Sequence, residues 1–522
     1  MTTIPAPSVP RHAGLAMFVL AFASFMDLLD VGIVTVVVPV IQRDLGATYA
    51  QSQWFVVAYV LAFAVVLVVG GRLGDSHGRR RIFLIGVTGF TVLSACCAAA
   101  PNAELFIVAR LLQGAFGALM TPQVFAMMQL LFRPERRGTG FMIYGAVINL
   151  AQVGAPLLGG LLATRDLFGL GWRAIFLINV PVGAAIVIAT LALVGESRSP
   201  RRPRLDPIGI TLIAVVTALV IVPLQQGREA NWPWWLLAML GAAVPLLLVL
   251  IDHERRRGGD AVLPTSLFRL RSFSAAGLLA TLVMSTIISV NLILVWFTQL
   301  ALGWTPMQTA VSLVGFAVAL VTVGTWGAGR VPRFGRGTVA AGSVLLALGI
   351  AVLSSLVSVT GTALSPLAVS AALFVAGSGM ALVVGTLVNI QLRDVPEGDA
   401  GAAGGILSAI FQFAGAVGVG VAATVFFALV AHGGNQAAAA PPGTPAAAFA
   451  SCVRDQAADT NPFSQPVSCR SAELDRPAVV AALADAKQRA FADATTSTLW
   501  IQVGVLLLAA ALSRLLPPKR AG

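Results

Sequence analysis

Residues 71–81 read Gly-Arg-Leu-Gly-Asp-Ser-His-Gly-Arg-Arg-Arg and lie between two long apolar runs, 54–69 and 82–100. A polar stretch in that position is expected to be a tight turn between two membrane helices. Gly71, Gly74 and Gly78 permit a sharp backbone turn and close helix approach. Arg72, Arg79, Arg80 and Arg81 would hold the turn on the cytoplasmic side. Asp75, the one acid among them, can pair with a cation or cap a helix N-terminus. The alternative is a positively charged loop that only fixes topology, and the spacing argues for more than that.

The rest of the composition agrees with a membrane setting. The chain is 57% hydrophobic and 11% charged, which excludes an ordinary soluble domain. Its net charge of +12 comes from short clusters of basic residues between apolar spans. That is a topology signal, and no nucleic-acid partner is expected from it.

Outward from the turn, apolar spans fall at 14–41, 51–70, 82–100, 103–125, 139–163, 174–194, 207–226, 234–251, 273–300, 308–329, 338–359, 366–391, 402–430 and 498–516. Each can cross about 30 Å of hydrocarbon at about 1.5 Å per residue. The first is too long for a signal-peptide core and is read as a retained helix. If the N-terminus lies inside, the cytoplasmic segments hold 24 basic residues, against Arg43, Arg165, Arg173 and Arg228 in the short outer loops. The charge rule therefore places both termini in the cytoplasm and the chain in the cytoplasmic membrane. A second basic turn, 329–336, follows the tenth span, as expected of two related bundles side by side, although there Pro332 and Arg333 replace Gly74 and Asp75.

One outer loop, 431–497, is long. Its first half is rich in Ala, Pro and Gly and is expected to lack order. Cys452 and Cys469 sit in it on the oxidising side, where a disulfide would stabilise a loop without a core. Residues 477–491 read as a short amphipathic helix leading to the last span, with Pro477 at its first turn. Cys96 and Cys97 are expected to be packing residues within a span.

Charges and amides inside the spans are the candidates for chemistry, since a charge at the bilayer centre costs about 2.5–3.5 kcal/mol on insertion scales. Asp27 and Asp30 are three residues apart on one helix face. Arg110 is the one arginine within a span. Counted along the helices from the outer side, Arg110 lies about 12 Å deep and Asp30 about 16 Å, close enough to pair. Arg110 could alternatively bind backbone carbonyls, and either acid could be merely hydrogen-bonded. Asp27, Gln113, Asn149, Asn291 and Gln412 are the expected polar lining of a substrate cavity. The four histidines, at 12, 77, 253 and 432, are far apart and support no metal site, and no phosphate-binding glycine loop is present. No cofactor is expected.

Several of these stretches resemble family motifs. Gly-x-Leu-Gly-Asp-x-x-Gly-Arg-Arg, 71–80, resembles the signature loop between helices 2 and 3 of the major facilitator superfamily, with Ser76 where a basic residue is usual. Residues 29–39 resemble the helix-1 motif of drug:proton antiporters, with Asp30 as the matched acid, Gly32 in place of a threonine and Thr35 in place of an asparagine. Arg110, Gln113 and Gly114 match an Arg-x-x-Gln-Gly motif associated there with proton coupling. Gly154, Pro156, Gly159 and Gly160 match the helix-5 motif of exporters, with Ala155 replacing a glycine. Residues 172–183 form a further family-like run. The two extra spans, and the glycine-rich helix with Gln412, Gly415 and Gly418, resemble the 14-helix EmrB/QacA-type branch.

The resemblance implies an all-α membrane protein with the major facilitator fold. Two six-helix bundles, 1–195 and 261–522, would flank two additional transmembrane helices in 196–260. It also implies a proton-coupled exporter of apolar or cationic drug-like small molecules, not an enzyme, in which Asp30 takes the proton, Arg110 tunes it and Asp27 meets substrate or shares the proton. Its partners would be substrate, protons and the bilayer. An exporter of one metabolite, antibiotic or lipid is the alternative on the same fold. A multi-span receptor or intramembrane enzyme is more distant.

Overall fold

A computed structural model describes residues 13–131, 140, 144, 147, 150, 151, 154, 155, 158, 169–197, 206–227, 232–257, 263–328, 335–396, 399–436, 447, 449, 451, 452, 469 and 477–518. Every regular element among them is helical. The first half contributes α1 (Ala13–Asp44), α2 (Tyr49–His77), α3 (Arg79–Ala99), α4 (Ala103–Leu131), and α5 (Arg173–Leu177) continuing into α6 (Asn179–Leu193) as one span. Then come α7 (Pro207–Gln226) and α8 (Trp234–Arg257). The second half is α9 (Arg271–Trp296), α10 (Pro306–Ala328), α11 (Arg336–Thr360), α12 (Pro366–Leu392), α13 (Ala400–Gln436) and α14 (Pro477–Leu512).

Twelve helices among the described residues are long and apolar enough to cross a membrane, and α2, bent by 48° between Leu67 and Val69, makes a thirteenth. The expected fifth span, 139–163, is described at eight scattered positions, each helical, and Asn149, Pro156, Gly159 and Gly160 lie outside the described residues. Residues 329–334, most of the second basic turn, lie outside them too.

Local sequence explains the helix starts. Thr48 accepts from the Gln51 amide while the Gln51 side chain accepts from the Thr48 amide, a reciprocal capping box that opens α2. Ser365 caps α12 and Pro366 occupies its first position, where a missing N–H costs nothing.

The turn at 71–81 is tighter than its sequence suggests. Helix α2 runs through Gly71 and Gly74 to His77, α3 begins at Arg79, and Gly78 alone reverses the chain at φ +108°. That φ is open to glycine and strained for other residues. Gly74 serves packing: a β-carbon there would run into the Gln123 amide of α4.

Two expectations about the outer loop are corrected. Residues 477–512 form one continuous helix of 36 residues, not a short helix and then a span, because nothing between Phe491 and Trp500 breaks the backbone pattern. The loop also has a core of its own: Phe449, Cys452, Cys469, Val479, Leu483 and Ala486 are buried together, and a disulfide joins Cys452 to Cys469. Helix α14 provides the floor of that core.

Each half buries its own apolar cluster, and the two halves meet. Near the end of the bundle that carries the basic turns, Phe125, Met128 and Leu131 of α4 pack with Leu392 of α12 and Ile406 and Leu407 of α13. The inserted α7 packs against α2 and α13, and α8 against α7. Their apolar outer faces, Trp234 and Leu248 among them, are exposed for contact with lipid.

Candidate functional site

Between the halves lies a cavity of about 230 Å³. Its wall is mostly apolar, with Phe63, Phe125, Phe316, Phe411, Met284 and Met380 as the large side chains. Polar groups are few: Ser24 and Asp27 of α1, Thr121 of α4, Tyr144, Asn291 of α9, Ser408 and Gln412 of α13. A cavity of this kind suits a small, largely apolar molecule held by aromatic faces and thioethers and oriented by a few polar contacts. Asp27 is the one charged residue on the described wall.

Behind that wall is a buried ionic cluster. Asp30 and Arg110 are both fully buried, and Arg110 Nη1 donates to Asp30 Oδ2 at 2.5 Å. Gln113 Oε1 accepts from the same nitrogen at 2.8 Å, and Arg110 Nε donates to the Phe55 carbonyl at 3.1 Å. The other oxygen of Asp30 accepts from Asn179 Nδ2 at 3.0 Å and Gln113 Nε2 at 3.3 Å. Asn179 also donates to Ser94 at 2.9 Å. A charge pair withdrawn from water is tolerable only when paired and hydrogen-bonded in this way.

One side chain joins cavity and cluster. The Tyr59 hydroxyl donates to Asp27, while the guanidinium carbon of Arg110 lies 4.3 Å from the centre of the Tyr59 ring. Asp27, Tyr59, Arg110 and Asp30 thus form a continuous contact path from the cavity wall inward. Helix α4 admits it by being thin: a β-carbon on Gly114 would strike the Tyr59 backbone.

The turn at Gly78 is an independent charged site. Asp75 is fully buried and accepts from Arg79 Nη2 at 2.8 Å. It does not cap α3. The carboxylate of Glu196 takes that role, accepting from the amides of Arg80 and Arg81 at 3.2 Å each.

The sequence-predicted residues divide cleanly. Asp30 and Arg110 meet, and Asp27, Asn291 and Gln412 line the cavity. Gln113, expected on the cavity wall, sits in the ionic cluster instead, because its amide is needed by both charges. Gly154 packs near Leu29 of α1. Tyr59 and Asn179 were not singled out from sequence. The available signal for Tyr59 was its rarity, as one of three tyrosines in 522 residues and set within an apolar run.

Two helical halves enclosing a mostly apolar cavity, with a charge pair buried beside it, define a membrane transporter. The chain belongs to the major facilitator superfamily: residues 20–419 match the model described as Major Facilitator Superfamily. It is 38% identical to the "Probable actinorhodin transporter" of Streptomyces coelicolor, across 99% of this chain and 93% of that protein. It is 30% identical to the "Tetracenomycin C resistance and export protein" of Streptomyces glaucescens, across 80% and 76% respectively. It is 31% identical to the "Puromycin resistance protein pur8" of Streptomyces alboniger, across 80% and 82%. The human organic anion transporter MFSD10 (TETRAN) shares its fold with a TM-score of 0.58 at 15% identity, covering 96% of this chain and 99% of that one.

Proposed function

We propose that the protein is a proton-coupled exporter of small, largely apolar molecules, residing in the cytoplasmic membrane with both termini inside. The observation that carries this reading is the path from Asp27 through Tyr59 and Arg110 to Asp30, which connects the substrate space to a sealed ion pair. Export as the direction is supported by relatives named for resistance and export. Orientation rests on the excess of basic residues at one end.

In the cycle, residues 1–195 and 261–522 rock as two bodies about the cavity, with 196–260 riding between them. With Asp30 ionised, Arg110 is held by it and by Gln113. A proton arriving at Asp30 removes the charge that anchors Arg110. The guanidinium then shifts its interaction toward Tyr59 and Asp27, and the cavity's grip on its contents changes. Proton and substrate are thereby linked without sharing a site. Specificity for a single compound is a second reading, favoured by the near full-length match to a transporter named for one, actinorhodin.

The test uses purified protein in proteoliposomes with an imposed pH gradient and ethidium as the transported probe. Asp30→Asn is expected to bind ethidium but lose gradient-driven transport by 100-fold or more, while Tyr59→Phe lowers transported ethidium per proton. Full gradient-driven transport by Asp30→Asn would end the proposal.

A further inference from the structure

A second concave site lies on the flank of the bundle, away from the cavity and separate from the path above. Arg80, Arg81, Leu84, Ile85, Thr88, Gly89 and Phe116, with Glu196 at one end, line an open groove of about 620 Å³ between α3 and α4. Its chemistry is graded along α3. Two arginines stand in the first turn, and the eight residues from Ile82 to Gly89 present apolar or small side chains. From Arg80 to Gly89 the helix rises about 14 Å, close to half of a roughly 30 Å hydrocarbon layer. The groove therefore starts at headgroup level and ends near the bilayer midplane.

The charges at its head are not spent on acids. Arg80 Nη2 donates to the Leu191 carbonyl at 3.1 Å, and Arg81 is exposed and makes no ion pair among the described residues. Glu196 is the one acid in the lining, and its carboxylate accepts from the backbone amides of Arg80, Arg81 and Ser197. The helix dipole offsets its charge, and it occupies the helix N-terminus that an anion could otherwise claim. What the groove offers is a pair of guanidinium groups above an apolar channel. Guanidinium groups bind phosphate through paired hydrogen bonds. Ile85, which is 42% exposed, and the half-buried Phe116 furnish the surface below.

We infer that this groove is a binding site for one anionic phospholipid, with its phosphate on Arg80 and Arg81 and one acyl chain along Leu84, Ile85 and Phe116. The lipid belongs to the leaflet facing the basic turns. A basic pocket between membrane helices at headgroup level is the arrangement that selects anionic lipids over neutral ones. The site abuts the Gly78 turn through the same two residues whose amides Glu196 caps, so its occupant bears on how 194–197 are held against α3.

The inference is tested by native mass spectrometry of delipidated full-length protein titrated with dioleoyl-phosphatidylglycerol or dioleoyl-phosphatidylcholine. Wild-type protein is expected to retain one phosphatidylglycerol under activation that strips phosphatidylcholine. Arg81→Gln should weaken that retention about fivefold, the effect of one basic group near a membrane surface. Ile85→Trp, which fills the channel and leaves both charges, should weaken it as well. Arg256→Gln, an equal change of charge at an exposed pair with Asp252, should not. The site is overturned by equal retention of the two lipids, by wild-type retention in both groove variants, or by an equal loss in Arg256→Gln. Displacement of the lipid by glycerol phosphate at similar concentration would reduce the site to a phosphate contact and also overturn it.

Discussion

The two halves of the bundle satisfy their buried polar groups in opposite ways. In the first half the bonds run between helices: Asp30 of α1 to Arg110 of α4, Arg110 to the Phe55 carbonyl of α2, Asn179 of α6 to Asp30 and to Ser94 of α3. In the second half, no charged residue beyond 271 is buried among the described residues. Its hydroxyls mostly turn back on their own helix, as Thr286 does to Leu282, Thr386 to Leu382 and Ser408 to Gly404. Back-bonded hydroxyls stay satisfied wherever their helix moves. Cross-helix ion pairs do not. The first half is therefore tied together across its helices by its buried polar groups, and the second mostly within them.

The comparison breaks most visibly at Arg110. Arg110→Ala strands a buried carboxylate among four helices, and removing one partner of a buried pair costs about 3–5 kcal/mol. The variant should lose transport and unfold well below wild type in a detergent thermal melt. If it melts as wild type does, the first half is not locked by its charges.

The second half sharpens the contrast through Asn291 and Gln412, which line the cavity. Asn291 bonds its own helix at the Ile287 carbonyl, so Asn291→Ala should leave the melting temperature within a few degrees of wild type. Together with Gln412→Ala it should change affinity for ethidium about tenfold while protons moved per ethidium stay constant. A changed ratio would mean that coupling extends into the second half.

The smallest effect is expected at the surface of the first half. Asp44 accepts from Trp172 Nε1 at 3.0 Å and from Arg173 at 2.7 Å, and these bonds hold its carboxyl below the usual carboxylate range. A lowered folded-state pKa gives stability that is present above the unfolded value, about 4, and lost as pH falls through the folded value. The pair is half exposed, so Arg173→Ala should cost under about 1 kcal/mol at neutral pH and less as acid is added. Melting curves from pH 7 to pH 3 measure it.

Much of this was legible in residues. Two acids and one arginine in apolar spans had to find partners, and Asp30 and Arg110 found each other. The turn at 71–81 was legible as a turn, though only Gly78 bends the chain. Two departures from the resembled motifs looked like losses and prove related. Gly32 stands where a threonine was expected and Ala155 where a glycine was, and the two meet, since a β-carbon on Gly32 would collide with that of Ala155. A glycine at 32 leaves room for Ala155, and the two positions approach closely.

By itself the sequence determined the membrane setting, the order of the spans, the basic turns and the identity of the buried charges. Those follow from transfer energies, which each residue carries wherever it sits. Only the tertiary structure decided that Asp30 lies behind the cavity wall with Arg110, that Gln113 serves the ion pair, and that Tyr59 bridges that pair to Asp27. It likewise decided that the outer loop has a core around its disulfide. These depend on how each helix is rotated and how closely its neighbours approach, and such rotations are fixed by packing among helices far apart in the chain.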